Sequence, residues 1–212
     1  MINYSDIILI LAAYVLGSIP TAVWIGKLFY GIDVREFGSG NAGATNTFRV
    51  LGKKAGIPVL IIDILKGFGA VCLAYAGNYA TNTSEFINFQ IALGVASLLG
   101  HIFPVLAGFR GGKGVATLLG VVLAVQPGAA SLALVVFLVV LLAFNYVSLA
   151  SMSAGLSFPI IGLTVMHYTN VTLIAFSIVV AFLLIITHKK NISRLLKKQE
   201  SKVKLFKIKV KA

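Results

Sequence analysis

Long apolar runs constrain this chain more than any other feature of its sequence. Six of them stand out, at about 5–26, 56–77, 88–107, 129–146, 148–167 and 170–188. A hydrocarbon core about 30 Å thick takes about 20 helical residues to cross, and each run reaches or approaches that length. Lipid offers the backbone no hydrogen-bond partners, so apolar spanning segments of this kind must be helices. The sequence therefore predicts an all-α, polytopic integral membrane protein.

The proportion of charged residues supports a membrane environment. Only 11% of the 212 residues are charged and 58% are hydrophobic, whereas soluble domains carry about 25% charged residues. The net charge of +12 could suggest a nucleic-acid partner. However, the basic residues lie between the apolar runs and near the C-terminus, where they are typical of charges at a membrane surface. We therefore expect membrane lipid, and no nucleic acid, next to this basic surface.

The number and orientation of the spans follow from a shorter run and from the basic residues. Residues 115–125 form an apolar run that could be a short helix or half of a re-entrant hairpin. Counting it gives about seven transmembrane helices. The cationic stretches 31–54, 108–114 and 188 onward then share one side, and the connections on the opposite side carry no Lys or Arg. By the positive-inside rule, the N-terminus lies outside and the C-terminus in the cytoplasm.

Charge also divides the chain into two parts. We expect a transmembrane domain over residues 1–196 and a polybasic cytoplasmic tail over residues 197–212. Lysines in the tail alternate with Val, Leu or Ile, which is not the spacing of a helical stripe. Such an arm would be held near anionic lipid by about 1 kcal/mol for each basic residue close to the surface.

A glycine-rich stretch after the first run carries the densest set of candidate binding residues. Its glycines allow backbone conformations in which N–H groups converge on an anion. Its polar side chains add hydrogen-bond donors, and an arginine just after it offers a planar fork suited to phosphate. The alternative is a turn with helix caps, which uses the same residue types. The residues are Gly38, Ser39, Gly40, Asn41, Gly43, Thr45, Asn46 and Arg49.

A second glycine-rich stretch precedes the run at 115–125. Glycines before a helix start aim N–H groups and the positive end of the helix dipole at an anion, and two cations add to that charge. The stretch does not match a nucleotide-binding P-loop in its spacing or at the Ser/Thr position. The alternatives are ordinary inner-loop cations and, for the histidine upstream, a packed interior residue. The residues are His101, Arg110, Gly111, Gly112, Lys113, Gly114 and Thr117.

Polar residues also occur at the end of the last run and inside the second. His188, Asn191 and Arg194 are spaced three apart, so each neighbours the next on a helix surface; the alternative is a set of snorkelling anchors. Asp63 and Lys66 have the same spacing within an apolar run, and we expect them to pair in the protein interior. The sequence has no His-x-x-His, Cys pair or cluster of carboxylates, so neither a metal nor another cofactor is expected.

Together these motifs resemble those of the bacterial acyl-phosphate:glycerol-3-phosphate acyltransferases of the inner membrane. The resemblance covers Tyr14 to Glu200 and rests on 38–49, Asp63-x-x-Lys66-Gly67, 100–117 and 188–194. The chain departs from the family pattern in two places. Ala42 replaces a common proline, and Lys197-Lys198-Gln199-Glu200 replaces a glycine-containing ending.

The resemblance implies an enzyme that transfers a fatty acyl group from acyl-phosphate to the sn-1 hydroxyl of glycerol 3-phosphate, giving lysophosphatidic acid and phosphate. It implies catalytic roles, at the cytoplasmic face, for Ser39, Arg49, Lys113, His188 and Asn191. The expected substrate-binding residues are Gly38, Gly40, Asn41, Gly43, Thr45, Asn46, Lys66, His101, Arg110, Gly111, Gly112, Gly114, Thr117 and Arg194. These three motifs are expected to meet in one electropositive pocket.

The types of residue present suit direct transfer without an acyl-enzyme. Acyl-phosphate already has a good leaving group, so cations, amides and glycines suffice to hold two phosphates and to align a hydroxyl with the carbonyl. Proton removal is assigned to His188 or to a substrate phosphate. The alternative function is a transporter for small organophosphate anions, because charges inside membrane segments are also a transporter feature. No oligomeric state follows from the sequence.

Overall fold

Ten α-helices form between residues 3 and 203, the range that this computed structural model describes. No strand occurs in that range, so the all-α prediction is confirmed. Short 3-10 turns lie at Val34–Glu36, Leu73–Ala76 and Val105–Ala107. Residues 204–212, which include most of the predicted polybasic tail, lie outside the described residues. The helices are α1 Tyr4–Gly17, α2 Thr21–Tyr30, α3 Ala44–Leu51, α4 Lys53–Cys72, α5 Ser84–Ile102, α6 Val115–Val125, α7 Pro127–Phe144, α8 Val147–Thr164, α9 Val171–Thr187 and α10 Lys189–Leu196.

Among the described residues, four helices are individually long and apolar enough to cross a membrane: α4, α5, α7 and α8. Two further spans arise if bent pairs are counted as one, α1 with α2 at 41° and α9 with α10 at 58°. Helix α6 has 11 residues, about 16 Å of helix, which is roughly half the thickness of the hydrocarbon core. The count of seven spans and the orientation of the termini remain predictions.

The first apolar run is not the continuous helix that its hydropathy suggests. Helix α1 ends at Gly17 and α2 begins at Thr21. Pro20 has no N–H to donate and disfavours helical geometry at the residue before it, so the helix breaks here. The break places the Ile19 carbonyl outside the helical ladder, and Lys66 of α4 donates a hydrogen bond to it at 2.8 Å.

The chain forms two compact units, residues 1–128 and residues 129–212. In the first unit, small residues bring helices close together. A methyl group at Gly17 of α1 would collide with the Ser97 carbonyl of α5, and one at Gly120 of α6 would collide with the Ile64 carbonyl of α4. Such close backbone approach is typical of membrane helix pairs, in which small residues allow dispersion contacts along the interface. These packed helices form the frame from which the first two glycine-rich stretches extend.

The second unit combines a packed helix pair with an apolar helix. Helix α8 approaches α9 at Gly155, where a methyl group would collide with the Leu184 side chain. In α7 the buried residues are Ala129, Ala130 and Ala133, all near its start. The rest of α7 is apolar and largely exposed, which is typical of a helix surface that faces lipid.

Candidate active site

Asn46 organises the first glycine-rich stretch. Its side chain is 1% exposed and donates from Nδ2 to the carbonyls of Val34 at 2.8 Å and Phe37 at 3.1 Å. Its Oδ1 accepts from the N–H of Ser39 at 2.8 Å and from the Ser39 hydroxyl at 3.1 Å. Both amide hydrogens and both lone pairs of Oδ1 are therefore used. Asn46 therefore fixes the position of Ser39, and a direct contact of Asn46 with a substrate remains a prediction.

Other side chains of this stretch face outward. Ser39, Thr45 and Arg49 are exposed, and Asn41 is half-buried. Arg49, on α3, makes no hydrogen bond or ion pair with any part of the chain between residues 3 and 203. An exposed guanidinium without a carboxylate partner is available to an anion, and its planar fork matches two phosphate oxygens.

Arg35 joins this stretch to the second glycine-rich loop. Its Nε and Nη2 donate to the two oxygens of Asp33 at 2.9 and 2.7 Å, and its Nη1 donates to the carbonyls of Ala107 at 2.9 Å and Arg110 at 3.2 Å. The hydrogen bond from the Arg35 side chain is the main cause that lowers the pKa of Asp33 far below its ordinary value, although partial burial raises it. By its charge alone, Arg35 cannot be distinguished from the other cations predicted on the inner loops. The informative signal is the Asp-x-Arg spacing, which lets Asp33 cap a 3-10 turn through the Arg35 N–H at 3.0 Å.

The second loop leaves the end of α5 and folds back on it. The N–H of Gly111 donates to the Ile102 carbonyl and that of Gly112 donates to the His101 carbonyl, both at 3.2 Å. A methyl group at Gly112 would collide with the His101 ring and lie 3.0 Å from the Ala42 carbonyl. Glycine is therefore required at this position because the backbone approaches its neighbours closely.

These hydrogen bonds change the role expected of the glycine-rich backbone. The N–H groups of Ser39, Gly40, Gly111 and Gly112 all donate within the protein, rather than converging on a shared anion. The positive charge at this loop comes from two side chains, the exposed Arg110 and the half-buried Lys113. Helix α6 starts directly after Gly114, whose φ of +80° suits glycine, and its N-terminal dipole adds to the positive potential beside Lys113.

A buried polar network lies next to these loops. The Lys66 amine is 2.9 Å from Asp63 Oδ1, and the Thr21 hydroxyl donates to the same oxygen at 3.1 Å. His101 Nδ1 lies 3.0 Å from the Thr117 hydroxyl and 3.8 Å from Asp63 Oδ1. The interior pair expected for Asp63 and Lys66 is confirmed. His101 is packed and hydrogen-bonded in the interior, as the alternative to a binding role predicts.

Thr21, Asp63, Lys66 and His101 of this network also line a small crevice. Its volume is about 10 Å³, and Ala42 and Gly112 of the two glycine-rich stretches border it as well. Both glycine-rich stretches therefore reach the buried network. A direct contact of Lys66, His101 or Thr117 with a substrate remains a prediction.

Glu200 accepts hydrogen bonds from three polar residues of the second unit. Its Oε1 accepts from Asn191 Nδ2 at 2.6 Å and from the Ser148 hydroxyl at 2.9 Å, and its Oε2 accepts from Arg194 Nε at 2.7 Å. Burial raises the pKa of Glu200, but the three hydrogen bonds outweigh it and hold the pKa below its ordinary value. The sequence does not single out Ser148, and it marks Glu200 only as part of a divergent ending.

His188 is 4% exposed and has a defined tautomer. Its Nδ1 lies 2.8 Å from the Leu184 carbonyl. A carbonyl can only accept, so Nδ1 carries the proton and Nε2 is the basic nitrogen of the neutral ring. His188 lies at the bend between α9 and α10, and Asn191 follows one turn later.

The first and second motifs thus meet within the first unit, and the third lies in the second unit. Arg35 and the approach of Gly112 to Ala42 join the first two. The third is assembled around Glu200. A single pocket shared by all three motifs remains a prediction.

Known proteins are similar to this chain in both sequence and fold. Residues 7–198 match the family model described as glycerol-3-phosphate acyltransferase. A glycerol-3-phosphate acyltransferase of Listeria monocytogenes serovar 1/2a is 48% identical over 198 residues, which are 93% of this chain and 96% of that relative.

Two solved structures extend the likeness to three dimensions. The crystal structure of PlsY (YgiH), an integral membrane glycerol 3-phosphate acyltransferase, in its glycerol 3-phosphate form has a TM-score of 0.84 and 42% identity, covering 94% of this chain and 96% of that one. The lysophosphatidic acid form has a TM-score of 0.80 and 41% identity, covering 93% and 95%. The chain therefore belongs to the glycerol-3-phosphate acyltransferase family of integral membrane enzymes.

Proposed function

We propose that this acyltransferase takes its acyl group from acyl-phosphate and forms lysophosphatidic acid and phosphate from glycerol 3-phosphate at the cytoplasmic face of a bacterial inner membrane. The observation that carries the proposal is the match of residues 7–198 to the family. The glycerol 3-phosphate and lysophosphatidic acid forms of PlsY support the acceptor and the product. The acyl-phosphate donor follows from the resemblance of the motifs.

The proposed reaction is direct acyl transfer. The sn-1 oxygen of glycerol 3-phosphate attacks the carbonyl carbon of acyl-phosphate and forms the new ester C–O bond. The C–O bond to phosphate breaks, and phosphate leaves with the electron pair. The proton of the hydroxyl passes to His188 Nε2 or to the phosphate. The protein must hold two phosphates, align the reacting atoms and stabilise the developing oxyanion.

In the first unit, side-chain cations are assigned to phosphate binding. Arg49 offers an exposed fork without a carboxylate partner in the described chain, and Lys113 follows the loop that is anchored to α5. The Ser39 hydroxyl donates to Asn46, so its lone pairs can accept a hydrogen bond from the acceptor hydroxyl. Ser39 is therefore assigned to orienting that hydroxyl, with Asn41 beside it.

In the second unit, His188 and Asn191 are assigned to the same reaction. His188 presents a basic Nε2, as its tautomer requires, and this suits a proton acceptor. Asn191 is fixed by Glu200, so its amide group has a defined direction. Arg194 is assigned to holding Glu200 in place.

Purified protein in detergent, supplied with labelled glycerol 3-phosphate and either acyl-phosphate or acyl-CoA, tests the proposal. We expect equal amounts of lysophosphatidic acid and phosphate with acyl-phosphate, and no product with acyl-CoA. Product from acyl-CoA alone contradicts the proposed donor. Uptake of glycerol 3-phosphate into liposomes without any product indicates the transport alternative. An acylated Ser39 or Cys72 trapped during turnover contradicts direct transfer.

A matched pair of single-cysteine variants tests the orientation. Both Glu36 and Asn82 are exposed, and they lie on opposite sides of α4 along the chain. In a Cys72→Ala background, an impermeant maleimide should label Asn82→Cys in intact cells. It should label Glu36→Cys after permeabilisation and not before. The reverse pattern contradicts a cytoplasmic site.

A further inference from the structure

Arg35 fastens together two loops that carry different residues of the proposed site. The first loop holds Ser39 and the second leads to Lys113. We propose that Arg35 is a positioning residue that sets the placement of Ser39 relative to Lys113. It would thereby align the hydroxyl of glycerol 3-phosphate with the carbonyl of acyl-phosphate. The inference rests on the proposed function, because it assigns Ser39 and Lys113 to one reaction.

The hydrogen bonds of Arg35 use its planar shape. Its Nε and Nη2 bind the carboxylate of Asp33, and its Nη1 binds the carbonyls of Ala107 and Arg110. The guanidinium plane fixes all of these directions at once, which a lysine amine cannot do. The side chain is 14% exposed, so water competes weakly for these bonds.

Hydrogen bonds continue from Arg35 to Ser39. Arg35 lies in the 3-10 turn Val34–Glu36. The Val34 carbonyl accepts from Asn46, and the same asparagine holds the N–H and hydroxyl of Ser39. A displacement of the turn is thus transmitted to Ser39.

The Nη1 atom of Arg35 contacts the loop that leads to Lys113. The Arg110 carbonyl that binds Arg35 belongs to the peptide group of Gly111, whose N–H is bound to the Ile102 carbonyl of α5. Lys113 follows three residues after Arg110. Each loop therefore has an anchor of its own, Asn46 or α5, and Arg35 is a hydrogen-bonded link between the two.

Loss of this link should affect the chemical step more than substrate affinity. A displacement of about 1 Å between reacting groups can cost about 100-fold in rate. Arg49 and Lys113 would still be present to bind phosphate in an Arg35 variant. We therefore expect kcat to fall while KM for each substrate changes little.

Kinetics of Arg35→Ala and Arg35→Lys, compared with Lys27→Ala, test the proposal. Lys27 is a matched control because its amine lies 3.5 Å from the same Asp33 carboxylate while its side chain is 57% exposed. Once acyl transfer by the wild type is established, we expect kcat to fall about 100-fold in both Arg35 variants with KM within about threefold, and Lys27→Ala to stay within about twofold. Millimolar methylguanidinium should raise kcat of Arg35→Ala about tenfold by replacing the lost fork, with no effect on Lys27→Ala.

Amide hydrogen exchange gives a second readout that does not need turnover. In Arg35→Lys, exchange in residues 105–112 should become about tenfold faster while residues 84–100 of α5 stay unchanged. If Arg35→Ala does not fold, Arg35→Lys and this exchange measurement decide the matter. The proposed role of Arg35 is overturned by any of three results. These are a near-normal kcat in Arg35→Lys, no rescue in a folded Arg35→Ala, and unchanged exchange. A wild type that makes no lysophosphatidic acid contradicts the proposed function instead.

Discussion

The polar residues linked through Arg35 in the first unit (the first cluster) and those linked through Glu200 in the second unit (the second cluster) are held by different kinds of contact. In the first, Arg35 binds the Ala107 carbonyl across 72 positions of sequence, and glycines allow separate helices to meet. In the second, Asn191 and Arg194 bind Glu200 from 9 and 6 positions away, and Ser148 binds it from 52 positions away, so all three contacts converge on one side chain. The first cluster therefore depends on the packing of several helices, whereas the second depends on one carboxylate.

The two clusters also differ in how their cations are balanced. Arg49 in the first unit has no carboxylate partner within the described chain, and Arg194 in the second unit is paired with Glu200 at 2.7 Å. An unpaired surface cation is available to a phosphate, while a paired one would first have to give up its partner. We infer that anion binding lies mainly with the first cluster and that charge in the second is structural.

Arg49→Ala should reduce acyl transfer more than any other variant described below. We expect kcat/KM to fall about 1,000-fold because a charged contact to a transferring phosphate is lost. The unfolding temperature in detergent should stay within about 2 °C because Arg49 is exposed and has no hydrogen bond or ion pair within residues 3–203. Lys53→Ala, which removes another exposed cation close by, is the control and should retain activity. Near-normal turnover in Arg49→Ala would remove this residue from the site.

Asn46→Asp should have the next largest effect. The aspartate keeps an acceptor for Ser39 but cannot donate to the Val34 and Phe37 carbonyls, and its charge faces two oxygens. We expect kcat to fall about 100-fold through displacement of Ser39, measured alongside the unfolding temperature. The same chemical change at Asn82, exposed in the opposite connection, should have no effect. Equal losses in the two variants would contradict a role specific to Ser39.

Glu200→Gln tests the second cluster through stability. The glutamine keeps acceptor oxygen but removes the charge that Arg194 and Asn191 bind, so we expect the free energy of unfolding to fall by about 2 kcal/mol, equivalent to about 30-fold in the folding equilibrium. The folded pKa of Glu200 is lowered from 4.5, so its contribution is fully present above that pH and is lost as the pH falls through the folded pKa. The difference in unfolding temperature between wild type and variant should therefore shrink on acidification below about pH 4.5. A difference that stays constant would contradict an ionised Glu200.

The sequence predicts most of the fold because hydropathy is a local property of each segment. Every apolar run has a helix at its position, and the interior pairing of Asp63 with Lys66 follows from their spacing and the cost of burying charge. The bend before Thr21 is missed by a count of hydropathy, because apolar residues lie on both sides of it and one proline, Pro20, decides the geometry.

Residue types predict the candidate site better than they predict the contacts within it. Gly112 is expected to face an anion, yet its N–H binds the His101 carbonyl and its bare Cα admits a neighbouring ring. Arg35 is not picked out, because the carbonyls that its Nη1 binds lie more than 70 positions away and only its spacing from Asp33 marks it in the sequence. Backbone carbonyls have no side-chain signature, so such partners emerge only when the chain is folded.

Arg194→Lys should have little effect on activity, in contrast to Arg49→Lys. Arg194 uses Nε for its hydrogen bond to Glu200, and a lysine amine can serve the same carboxylate oxygen, so activity should stay within about threefold of wild type. Arg49→Lys removes a fork assigned to two phosphate oxygens, and a point charge should replace it poorly, with a loss of about 30-fold. Both variants keep the net charge, so the contrast isolates geometry from long-range attraction. Measuring KM for glycerol 3-phosphate at two salt concentrations completes the test: if Arg194→Lys loses as much as Arg49→Lys, the second cluster binds an anion as directly as the first does.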